Sequence, residues 1–176
     1  MNLVSSVTTL LSVFTIIAQI LIILGLINYF FPKRVKPLDD LFKKIFPLVF
    51  VVPLVAMAGS LFFSEVAHYV PCILCWYQRI VMYPQAIILT IAYFRKDKNL
   101  AIYTIALSLI GAIISTYHYL LQIQAIHEIV PCTTTVVAVD CSQKIFMTFG
   151  YITIPMMALS AFLLTIVLQV HNLRKK

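Results

Sequence analysis

Polar and charged positions divide the chain into long apolar runs. No charge occurs in residues 1–32, and the stretch from Val7 to Phe31 is almost wholly apolar. A basic segment follows, with Lys33, Arg34, Lys36, Lys43 and Lys44 around Asp39 and Asp40. Further apolar runs extend over 45–64, 76–94, 100–121 and 145–170, separated by a short connection at 65–71, the cluster Arg95-Lys96-Asp97-Lys98 and a Thr-rich polar connection at 122–144. About 20 apolar residues carry a helix across the hydrocarbon core of a bilayer. Lipid admits only helices and closed barrels, and these runs are too long and continuous for barrel strands. The pattern therefore predicts an all-α membrane protein with five spans. Pro47, Pro53, Pro84 and Pro155 fall inside the predicted spans and are expected to kink them.

Composition agrees with that reading. Of 176 residues, 62% are apolar and 11% charged, too few polar side chains to cover a water-soluble fold and too much apolar surface for a disordered one. The net charge of +7 does not point to nucleic acid, because the cations form no stripe interleaved with aromatics. Eleven of the 13 basic residues lie in the segments 33–44, 95–98 and 174–176. With five spans these segments share one side of the membrane. Lys and Arg concentrate on the cytoplasmic side, so the N-terminus is expected outside and the C-terminus inside. The first run lacks a basic leading segment and a small-residue cleavage site, so a retained span is expected rather than a signal peptide.

This orientation, obtained without reference to cysteine, puts Cys72, Cys75, Cys132 and Cys141 together on the outer side, where disulfides persist. Cys72 and Cys75 form a C-x-x-C behind Pro71 at the start of a predicted helix. Unpaired backbone N–H groups and the positive end of the helix dipole stabilise a thiolate there and favour thiol exchange. A structural disulfide and half of a metal site are the competing readings of this pair. Cys132 and Cys141 enclose eight residues, Thr133 to Asp140, in a short polar connection; they either staple the loop or present a disulfide to a soluble partner. Four thiols with His68 or His127 would also suit zinc, although the second spacing is wide for such a site. Haem attachment is excluded, since Trp76 stands where C-x-x-C-H needs histidine. Arg79 follows Cys75 by one helical turn on the same face. It either stabilises an anion there or snorkels to a headgroup. His118 lies near the outer end of its span. Trp76, Tyr77 and Tyr119 suit either a ligand site or an interfacial aromatic belt. Glu65, His68, His127, Glu128 and Asp140 read as solvated loop residues with the chemistry to relay protons.

The string Pro71-Cys72-Ile73-Leu74-Cys75-Trp76-Tyr77-Gln78-Arg79 resembles the disulfide-bond formation protein B family (DsbB, and BdbC in Gram-positive bacteria). Tyr117-His118-Tyr119-Leu120-Leu121-Gln122 is similar to the end of that family's third helix, and Pro131-Cys132-Thr133 with Cys141 to its second cysteine pair. The resemblance covers about 45–170. It implies a four-helix transmembrane bundle at 45–170, with 1–32 as an extra N-terminal helix, 33–44 a cytoplasmic basic loop and 171–176 a cytoplasmic basic tail. It implies an oxidoreductase of the bacterial cytoplasmic membrane that re-oxidises a DsbA-like thioredoxin-fold dithiol protein and passes electrons to a membrane quinone, ubiquinone or menaquinone. On that analogy Cys132 forms the mixed disulfide with the partner, Cys141 is its mate, Cys72 and Cys75 receive the electrons, and Cys75 faces the quinone. Arg79, His118, Trp76 and Gln78 are then the cofactor-binding residues. The family relation also sets this chain apart from vitamin K epoxide reductase-like proteins, in which the loop cysteines precede the C-x-x-C. The alternatives from other classes are a membrane scaffold with two structural disulfides and a metal-binding membrane protein.

Overall fold

The computed structural model describes residues 3–31, 36–97, 99–127 and 140–174. The described residues form six α-helices: α1 (Leu3–Phe30), α2 (Lys36–Lys44), α3 (Leu48–Leu61), α4 (Ile73–Arg95), α5 (Ala101–Gln122) and α6 (Ile154–Leu173). There is no β-strand among the described residues. A π-helical turn, Phe62–Val66, prolongs α3. Among the described residues, four segments are long and apolar enough to cross a membrane by hydropathy: α1, α3 with its π turn, α5 and α6. At 23 residues, or about 35 Å, α4 is also long enough. It is less apolar because Gln78, Arg79 and Gln85 lie along it.

Helices α1 and α5 are built inside out relative to those of a soluble protein. The buried face of α1 is formed by Thr8, Ser12, Thr15, Gly25 and Asn28, while Leu10, Phe14, Ile17, Ile20 and Ile23 are exposed. Thr8, Ser12 and Thr15 donate to the carbonyls four residues back, so each hydroxyl is satisfied within its own helix. On α5, Thr104, Ser108, Gly111, Ser115, His118 and Gln122 recur every three or four residues and are all buried. Small residues let helices approach closely where lipid gives apolar side chains no reason to associate. Gly111 meets the ring of Phe162, and a Cβ there would collide with it. Between α4, α5 and α6, Ser108 donates to Gln85 Oε1 at 2.7 Å and Gln169 to Thr104 Oγ1 at 3.2 Å.

Contacts set the relative directions. From α1 to α6, Gln19 Nε2 donates to Ser160 Oγ at 3.2 Å and Arg174 to the Tyr29 carbonyl at 2.9 Å, so these helices run parallel. At the end that holds Arg174, Phe42 of α2 packs on His171 and Phe46 on Tyr93, whose helix ends at Arg95. Cys72, Cys75 and Cys141 occupy the opposite end.

Several boundaries differ from those expected. The segment expected as a loop at 33–44 contains the amphipathic helix α2, which buries Phe42 beneath α1 and α6. The last apolar run does not become helical at Ile145. Residues 145–153 instead include a tight turn bridging Thr148 and Ile152, with Phe149 and Gly150 at positive φ. Helix α6 begins only where Thr153 is extended and Pro155 stands in the first turn, a position at which proline's missing N–H costs nothing. Pro47 likewise precedes α3 rather than kinking it, whereas Pro53 and Pro84 lie within helices.

Replacing Gly111 by Ala should overpack the α5–α6 contact and destabilise the bundle by about 1–3 kcal/mol. Unfolding in mixed micelles monitored by circular dichroism should show the loss, and Ala106→Ser on the same helix serves as a control.

Candidate redox site

Cys72 precedes α4 with extended backbone, and Cys75 lies in the first helical turn. Their Sγ atoms are 3.4 Å apart. A disulfide bond is about 2.0 Å, so small side-chain rotations suffice to bring the two sulfurs to bonding distance when they are oxidised. Cys141, almost wholly buried, packs with Cys72 against Leu74 and Leu121 and shares a hydrogen bond with the Cys72 thiol. The three sulfurs thus form a row from the α5–α6 connection into α4. The fourth cysteine, Cys132, lies outside the described residues, as does Glu128.

His118 of α5 is 1% exposed and completes the row from the side. Its Nε2 is 3.6 Å from Cys72 Sγ, and its Nδ1 is 3.1 Å from Gln78 Nε2. With the Gln78 amide donating to Nδ1, the proton of the neutral imidazole sits on Nε2 and faces the Cys72 sulfur. The hydrogen bond with Cys141 favours the Cys72 thiolate, but neighbouring Cys75 and burial outweigh it and push the Cys72 thiol's pKa up. Ligand atoms of Cys72, Cys75 and His118 lie within 4.8 Å of one another, close enough to hold a soft metal ion. His68 and His127, the histidines considered for zinc from the sequence, are not in this group.

Arg79 faces another way. Its guanidinium donates to the Ser60 carbonyl at 3.0 Å and lies 5.4 Å from the centre of the Trp76 ring. These contacts answer the cost of a cation in lipid. Ser60 sits just ahead of the π turn, where the ladder changes to the wider spacing seen in the bond from Ala67 N–H to the Phe62 carbonyl, 3.0 Å. Such turns recur at functional sites. Beside Arg79 opens an apolar cleft of about 380 Å³ between α1, α3, α4 and α6, and Cys75, Gln78 and Arg79 are in its wall. Gln78 therefore joins the cleft to His118, which does not itself line it. Trp76 and Tyr77 are exposed, as in an interfacial belt, with Trp76 also stacked on Arg79. Glu65 and His127 are exposed, and Asp140 turns back to accept from Ser142. Ser60 had no sequence signal, because it acts through a backbone carbonyl.

A helical bundle of membrane-spanning type with a buried cysteine row at one end defines the class. The particular family follows from comparison with known proteins. Residues 42–171 match the family model described as "Disulfide bond formation protein DsbB", and the chain belongs to that family. Helix α1 lies outside the match. The chain is 49% identical over 118 residues to disulfide bond formation protein C of Bacillus subtilis, covering 66% of this chain and 83% of the relative. It is 43% identical over 143 residues to a probable disulfide formation protein of Oceanobacillus iheyensis, covering 80% and 97%. No solved structure matches significantly.

In the fully reduced protein, N-ethylmaleimide at a pH about 1–1.5 units below an ordinary thiol pKa should modify Cys75 several-fold faster than Cys72. The Cys72 rate should climb at higher pH than that of Cys75, because its raised pKa keeps the thiolate scarce near neutrality. Mass spectrometry of quenched time points reads both.

Proposed function

We propose that this chain is a protein-dithiol:quinone oxidoreductase of a bacterial cytoplasmic membrane that sustains disulfide formation by re-oxidising a DsbA-like thioredoxin-fold partner. The observation that carries the reading is the contiguous row Cys141, Cys72, Cys75, ending at a cleft with Arg79 in its wall. In this reading all five long helices span, the cysteine end faces outward, and the basic end with α2 and the C-terminal tail faces the cytoplasm. The domain division is α1 as an addition to a DsbB-like unit at 45–170.

The chemistry is sequential thiol–disulfide exchange. A partner thiolate attacks Cys132 in a Cys132–Cys141 disulfide, forming the mixed disulfide and releasing Cys141. The Cys141 sulfur, already against Cys72, attacks it within a Cys72–Cys75 disulfide and releases Cys75 into the cleft. The partner's second thiol leaves with the partner disulfide, freeing Cys132. Cys132 then closes on Cys141 and releases Cys72. The net result is one dithiol oxidised in the partner and one formed at Cys72 and Cys75. His118 holds its Nε2 proton toward the Cys72 sulfur as that sulfur leaves, and Gln78 fixes the tautomer. Arg79 offers a positive charge to the Cys75 thiolate.

A quinone fits the residues present: a polar end with Cys75, Gln78, Arg79 and Trp76 beside it, and an otherwise apolar cleft. When bound it accepts two electrons and two protons. A second reading draws on the Cys72, Cys75 and His118 triad as a zinc site; it predicts stoichiometric metal and protected thiols.

The test is quinone absorbance after addition of a reduced thioredoxin-fold dithiol protein to the purified chain. Wild type should turn over, and Cys72→Ser and Cys132→Ser should each stop it. Arg79→Met should slow it at least tenfold, about 1.4 kcal/mol or more in the barrier, and Arg79→Lys should slow it less. Untouched quinone beside persistently bridged cysteines would instead mark the disulfides as structural.

A further inference from the structure

Helix α1 is not part of the DsbB family match, yet it supplies one whole wall of the cleft. Leu11, Phe14, Ala18 and Leu21, spaced three or four apart, line it from α1. Opposite them stand Val52, Ala56, Gly59 and Phe63 of α3 and its π turn. Leu11 closes over Gly59, where a Cβ would come within 3.0 Å of its Cδ1. Helix α1 is held in this position from the other side. Gln19 donates to Ser160 and accepts from Tyr151 Oη at 2.7 Å, and Gly25 lets Val167 and Phe42 approach.

The wall is chemically polarised. Ser60, Gln78, Arg79 and Tyr83 gather toward the cysteine end. Toward the other end Leu21, Leu48, Val52 and Leu164 offer only hydrocarbon. Thr15 and Ser160 lie between, and each hydroxyl is already bonded to a carbonyl of its own helix. From Ser60 to Leu48 the groove follows α3 for about 18 Å, more than half of a ~30 Å hydrocarbon core. A ligand with a compact polar head and a long unbranched or methyl-branched chain matches this shape; a head alone would leave most of the groove unused.

Resting on the proposed quinone reaction, we infer that α1 completes a groove for the isoprenoid tail of the quinone. The extra helix thereby makes this chain select tailed quinones over their head group alone. The tail lies between α1 and α3, and its head stands beside Cys75 and Arg79.

The test reads binding without turnover. Trp76 is the single tryptophan, and its ring is stacked on Arg79, so a quinone head bound there quenches its fluorescence. The full-length wild type and variants are titrated in nanodiscs with menadione, which has no tail, and with a menaquinone bearing several isoprene units. Ala18→Phe, which fills the groove midway, should weaken quenching by the tailed quinone at least tenfold relative to wild type and leave menadione unchanged. Phe14→Ala, at a lipid-exposed position, should weaken the tailed quinone about threefold. Unchanged menadione quenching in each variant reports an intact fold. Equal effects on both quinones, or none on either, overturn the groove assignment, as does absence of quenching by either quinone in wild type. Selective loss of the tailed quinone in a protein that fails to oxidise any dithiol keeps the groove and overturns the proposed reaction.

Discussion

A polar side chain in hydrocarbon has no water to bond to, and this constraint sets how α1 and α5 face the rest of the bundle. The α5 stripe from Thr104 to Gln122 must face protein. It does so by bonding outward in turn to Gln169, Gln85, Gln78 through His118, and the Gln143 carbonyl. Interhelical hydrogen bonds of this kind are worth about 0.6 kcal/mol each on average within membranes. Their sum is modest beside the packing of Phe162, Leu164 and Leu168, so they act chiefly by fixing helix rotation and register. The same register brings His118 under Cys72. The site is thus a continuation of the bundle's internal polar seam.

The two cysteines of the C-x-x-C consequently have different surroundings. Cys72 meets His118 and Cys141 on the α5 side. Cys75, three residues on, opens to the α1–α3 side with Arg79. A helix turn is enough to separate the two environments, one aimed at the polar connection and the other at lipid. Gln78 sits between them and touches both. In the proposed reaction this arrangement would let one short motif pass a redox equivalent from Cys141 to an acceptor in the cleft without large motion of the described helices.

Much of this was legible in the sequence, for identifiable reasons. Charge-free runs mark the long helices because lipid excludes charge, and the fourth run, 100–121, lies within one residue of α5 at either end. The helical start at the C-x-x-C follows from Pro71 and the long apolar run behind it. What escaped were features made by the backbone or by distant partners. Helix α2 looks like a charged loop until Phe42 is seen beneath α1. The run from Ile145 is apolar enough for a helix, but its early residues turn back through Phe149 and Gly150. The Ser60 carbonyl carries no side-chain signature. The cleft is a space between four helices and has no residue pattern of its own.

The pairing of the first helix with the last has a consequence for biogenesis. Gln19 and Ser160 are 141 residues apart in sequence, and the α1–α6 contact has no local substitute. As the chain emerges, the Thr8–Ser12–Thr15 face of α1 remains turned to lipid or to the insertion machinery until α6 has been made. Closure of the bundle around α1 therefore waits on α6. A chain truncated before Ile154 leaves α1 without its mate, and the Thr8–Ser12–Thr15 face then meets the bilayer with only the bonds of its own helix.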